Sequence, residues 1–122
     1  MEFGIVEAAR GVATETEERC FITELWNDSH DEAVSLARAT VLPGVTTAWH
    51  VLSVDERYVV TQGSGRMEVG KHDARDIGSG DVVLIPAGIR QRVTNTGEGD
   101  LEFLGVCTPR FTSDCYSGID TT

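Results

Sequence analysis

Two side chains with the chemistry of an acid–base pair, His50 and Glu56, stand six positions apart in the run Gly44 to Gly63, GVTTAWHVLSVDERYVVTQG. An imidazole changes charge near neutrality and a carboxylate carries one, so side by side they can pass a proton or share a cation. Tyr58, on the same strand phase as Glu56, adds a hydroxyl that could donate a proton. A second run, Gly80 to Asn95, GDVVLIPAGIRQRVTN, carries Gln91, whose amide oxygen is a neutral and weak ligand compared with imidazole. His30 and His72 fall in polar stretches and read as surface residues.

Short strands must position these groups. Valine- and threonine-rich runs alternate with glycine turns, and the strands read as Cys20 to Trp26, Ala33 to Leu42, Thr46 to Leu52, Arg57 to Thr61, Arg66 to Val69, Val82 to Ile85, Gln91 to Thr94 and Leu101 to Thr108. Ser29 and Glu32 have the spacing of a capping box, but the pattern supports only a single turn there. Val82 to Ile85 is the most uniformly apolar run and reads as a core strand. Roughly nine or ten short strands, with no convincing helix, give an all-β sandwich or closed barrel.

The two-residue period of a strand then says what faces inward. With His50 inside, Ala48 and Leu52 are inside and Trp49 and Val51 outside. Glu56 brings Tyr58 and Val60 inward, and Gln91 brings Val93 and Asn95, the last as a turn residue bonding backbone. Arg57, Arg90 and Arg92 point away. The expected pocket is lined by His50, Leu52, Glu56, Tyr58 and Gln91, a few polar groups in apolar walls, as small-molecule sites are built.

At 122 residues the chain is read as one domain, 1–122, with residues 1–19 as an N-terminal arm and 109–122 as a tail lying across the barrel or a neighbour. Twenty acidic against ten basic residues, a formal charge of −10, argue against nucleic acid or an anionic membrane as partner. Nine of the acids fall in residues 1–34, which reads as a solvated face or an acidic docking surface. The start lacks the basic flank and apolar block of a signal peptide, so a cytoplasmic location is expected. Cys20, Cys107 and Cys115 form no CxxC or Cys/His cluster and read as buried or free thiols, with a Cys20–Cys107 contact left open.

The two runs resemble the motifs of the cupin superfamily. That family's first motif is a glycine, a His-x-His, a glutamate and a closing glycine, and Gly44, His50, Leu52, Glu56 and Gly63 fall at those places. Its second is a glycine, Pro-x-Gly, a histidine and an asparagine, matched by Gly80, Pro86, Gly88, Gln91 and Asn95. Leucine and glutamine thus replace two histidines. The Thr108-Pro109-Arg110-Phe111 sequence is also similar to that of short bacterial single-domain cupins. The resemblance implies a double-stranded β-helix, or jelly-roll barrel. It implies a divalent metal ion held weakly by His50, Glu56 and Gln91. It also implies a homodimer paired through its sheets, where an outward Trp49 would find a place.

Three functions remain open from sequence. One is an enzyme with a degenerate mononuclear metal site, acting on a small molecule with Tyr58 as proton donor. Another is a metal-free isomerase- or epimerase-like enzyme in which His50 and Glu56 are the acid–base pair. The third is a non-catalytic module that binds a small ligand or a partner.

Overall fold

The computed structural model describes residues 1–8 and 13–119. Branched and aromatic residues in short runs, each closed by a turn, form the strands β1 (Thr14–Glu15), β2 (Phe21–Trp26), β3 (Ser35–Val41), β4 (His50–Leu52), β5 (Asp55–Gln62), β6 (Ser64–Val69), β7 (Arg75–Gly78), β8 (Val82–Ile85), β9 (Gln91–Asn95), β10 (Leu101–Thr108) and β11 (Tyr116–Gly118). The ladders between them are antiparallel. One sheet has the order β1-β2-β3-β10-β5-β8 and the other β11-β4-β9-β6-β7. Together they form the double-stranded β-helix of a jelly roll. Among the described residues no helix is long and apolar enough to cross a membrane.

The two sheets bury their facing side chains between them. Val41, Val93 and Leu101 are wholly inaccessible, and Cys20, Ala39, Tyr58, Val60, Met67, Ile85 and Phe103 belong to the same cluster. The alternation expected from sequence holds on the site strands: Ala48, His50 and Leu52 are buried, as are Tyr58 and Val60, and Gln91, Val93 and Asn95. Gly63, one of the spaced motif glycines, has φ 85°, and a Cβ there would lie 2.5 Å from the Asp100 carbonyl oxygen. No side chain fits at that turn without moving backbone.

Four elements differ from the sequence reading. Val82–Ile85 is an edge strand rather than a core one: Val82 is 56% and Leu84 71% exposed, and only Ile85 is buried. A continuous apolar run cannot say which sheet position it occupies. Arg75–Gly78, which is not among the strands read from sequence, pairs with β6. The turn after β2 is capped by Asp28, whose Oδ1 accepts the His30 N–H, and not by Ser29. The tail joins a sheet: after one 3-10 turn at Ser113–Cys115, β11 pairs with β4.

Candidate functional site

His50 is carried on β4 opposite Gln91 of β9 and is 4% exposed. Its Nδ1 lies 3.0 Å from the Ala48 carbonyl oxygen. A carbonyl only accepts, so Nδ1 carries the hydrogen and Nε2 keeps the lone pair. Every buried side-chain nitrogen and oxygen among the described residues has a partner. Among the described residues Nε2 has no hydrogen-bond partner and is therefore not sealed off, and His50 lines a cavity. On the other side of the ring Glu18 Oε2 approaches Nδ1 to 3.7 Å, and Tyr116 stacks at 5.4 Å between centroids.

Glu56 is set by cross-strand register. It pairs with Cys107 of β10, Tyr58 pairs with Gly105, and all of these line the same cavity. Gln91, wholly buried, donates from Nε2 to Glu56 Oε1 at 2.9 Å, while its Oε1 accepts the Tyr58 hydroxyl. The Tyr58 ring stacks on Phe103 at 4.0 Å. A Cβ at Gly105 would stand 3.0 Å from Glu56 Oε2, so the glycine leaves the carboxylate its room.

Burial dominates the electrostatics. It pushes the Glu56 carboxyl above its ordinary range, against the Gln91 hydrogen bond and the charge of His50. Glu18 is raised for the same reason, again opposed by His50. Tyr58 is raised well above the usual phenol value by burial and then by Glu56, so it is a poor acid. Burial also pushes Cys20 and Cys107 up to about 12, which keeps both thiols protonated and unreactive at neutral pH.

The space these groups share is a cavity of about 200 Å³ between the inner face of the larger sheet and β4. It exists because inward positions of β3 and β10 carry Ala37, Ala39 and Gly105 where larger residues would fill it. His50, Leu52, Glu56 and Tyr58 line it as expected from sequence; Gln91 does not, and stands behind the wall as the link between Tyr58 and Glu56.

Glu18 is the site residue that sequence reasoning missed. It belongs to the charged TETEER run, read as part of an arm. Arg19 takes φ 66°, a left-handed conformation rare for a non-glycine residue, and the chain folds back so that the Glu18 carbonyl accepts the Ala48 N–H at 3.0 Å. Nothing in a local pattern separates this glutamate from its solvated neighbours.

The model of the cupin domain family matches residues 37–107, more than half of the chain. The chain belongs to the cupin family. No curated protein sequence matches it significantly. Among solved structures this cupin is similar to a variant of Streptomyces PAC13 with uridine, at 15% identity and TM-score 0.81, covering 98% of this chain and 93% of that one. A further structure of that protein describes it as a nucleoside dehydratase. Oxalate decarboxylase from Bacillus subtilis matches at 20% identity and TM-score 0.77, over 91% of this chain but 30% of its own. KdgF from Halomonas sp. matches at 15% identity and TM-score 0.76, over 88% of this chain and 96% of its own. At these identities the likeness is one of fold.

The metal ion that cupins often hold would here fall to His50, Glu56 and Gln91, and as folded these residues do not fit it. The Gln91 oxygen is taken by the Tyr58 hydroxyl, and its N–H group faces Glu56. Turning the amide to free its oxygen would set that oxygen against the carboxylate and leave the buried Tyr58 hydroxyl to find another acceptor. Leu52 packs with Cys107 and Cys115 as hydrocarbon. Among the described residues no three His, Cys, Asp or Glu side chains are grouped to share a metal ion. Trp49, expected at a dimer interface, has the guanidinium groups of Arg90 and Arg92 at 4.6 and 4.4 Å from its ring centroid.

Proposed function

We propose that this cupin is a metal-independent acid–base enzyme acting on a small molecule in the barrel cavity. The observation that carries the reading is the set tautomer of His50: Nδ1 is spent on Ala48, Nε2 has no hydrogen-bond partner among the described residues, and His50 lines a cavity together with Glu18 and Glu56. Nε2 takes a proton from the bound molecule, and the carboxyl of Glu18 or Glu56, each raised above its ordinary range by burial, returns one to a leaving hydroxyl or to carbon. Tyr58 serves as a positioning residue through Gln91 rather than as the proton donor. The shared fold with a nucleoside dehydratase supports this reading, since dehydration removes a proton and a hydroxyl and so asks for one base and one acid.

Solvent deuterium incorporation, followed by NMR over a panel of small hydroxy-aldehydes and hydroxy-ketones, tests it. The expected result is exchange by the metal-stripped protein that falls about 10²- to 10⁴-fold in His50→Gln, with the thermal midpoint unchanged. Exchange that ignores His50→Gln, or that returns only on adding manganese, iron, nickel or zinc, overturns it.

A further inference from the structure

The wall of the cavity has an unbalanced charge. Glu18, Glu56 and, at the rim on the same face of β2 as Ile22, Glu24 all line it, and no lysine or arginine does among the described residues. Arg57, Arg90 and Arg92 are occupied on the outer surface, with the Thr108 hydroxyl, the Trp49 ring, and both Trp49 and Glu68 respectively. Among the residues lining the cavity, the one group that can become cationic is the imidazole of His50, which is 4% exposed and whose Nδ1 is already bonded to the Ala48 carbonyl. Carboxylates withdrawn from water need a counter-charge or a proton. A ligand bearing its own carboxylate or phosphate would add a further negative group at close range with no guanidinium to receive it.

We propose that the ligand of this cavity carries a protonated amine, paired with the carboxylates of Glu18 and Glu56, and carries no carboxylate or phosphate. The remainder of the molecule is small and apolar or hydroxylated. It meets Phe103, Phe111 and Ile22, and a cavity of about 200 Å³ takes a single six-membered ring, given that about 150 Å³ suffices for benzene. The proposal rests on the cavity being the site of action, as in the proposed function, but the ligand's charge is read from binding alone and needs no turnover.

The test compares benzylamine, benzyl alcohol and benzoate, three compounds of one shape and three charges, by calorimetry at neutral pH on the wild-type chain, Glu18→Gln and Glu56→Gln. Benzylamine is expected to bind about tenfold or more tightly than benzyl alcohol, with no binding of benzoate. Glu18→Gln, which alters the more exposed carboxylate and spares the Gln91 link, is expected to erase most of that preference, and Glu56→Gln to reduce it further. Affinity is read without turnover, so a chain that prefers the amine yet exchanges no proton overturns the catalytic reading alone, and one that exchanges protons with no amine preference overturns this one alone. Binding of benzoate as tight as that of benzylamine, an equal affinity for the alcohol, an amine preference untouched by both glutamine variants, or no binding of any of the three overturns the proposal.

Discussion

The Ala48 carbonyl oxygen fixes the tautomer of His50, and two glutamates of the same cavity are raised by their own burial. Both carboxyls have folded values raised above the ordinary 4.5. The fold therefore favours their protonated forms: their contribution to stability is full below that value and is lost as pH rises through the folded ones. Urea unfolding over about pH 4.5 to about pH 8 should show the wild-type chain losing more stability than Glu18→Gln/Glu56→Gln. Asp28 is lowered, mainly by the His30 backbone N–H, and acts in the opposite sense, but it is common to both proteins and cancels in the comparison. Parallel curves would mean that neither glutamate titrates in this range. A second residue-scale prediction concerns Gly105, where an added Cβ would crowd Glu56 Oε2 at 3.0 Å. Gly105→Ala is expected to cost about 1–3 kcal/mol in stability while displacing the carboxylate, so amine binding and proton exchange should drop together in a folded protein.

At the scale of strands, the ladder β3-β10-β5 and the single β4–β9 pairing hold the site, and the buried Gln91 amide ties β9 to β5 through Tyr58 and Glu56. Gln91→Leu leaves a buried hydroxyl and a buried carboxylate short of a partner, and chemical denaturation should record a loss of about 2–4 kcal/mol. Leu84→Lys, on the exposed face of the edge strand β8, should stay within about 0.5 kcal/mol of wild type. An opposite ranking of the two would contradict the sheet order. The contrast also marks what a sequence can carry. The period of two placed His50, Tyr58 and Gln91 inside, because alternation is a local property of the strand. It could not tell the edge run Val82–Ile85 from a core strand, because edge or centre is decided by which strands pair at long range.

For the molecule as a whole, the same limit explains Glu18. The two glycine-bounded motifs, 44–63 and 80–95, were readable because their turns and spacings are local, and they brought the barrel and half of the site with them. The other half arrives from a charged run near the N-terminus, through the left-handed Arg19 and contacts that span 27 residues or more, which no spacing encodes. The arm thus divides into two parts with different consequences. Met1, Phe3, Ile5 and Val6 are exposed, so deleting residues 1–6 should leave the thermal midpoint unchanged. Deleting residues 1–19 removes the Glu18 carbonyl that receives the Ala48 N–H, the Arg19 Nε bond to the Thr46 carbonyl, and the β1 pairing. The remaining ladders are intact, so the barrel should fold with a loss of about 2–3 kcal/mol. Its cavity would lose one wall, and His50 should then react with diethyl pyrocarbonate several times faster than in the full chain. Equal reactivity in the two proteins would show that the segment before β2 does not close the site.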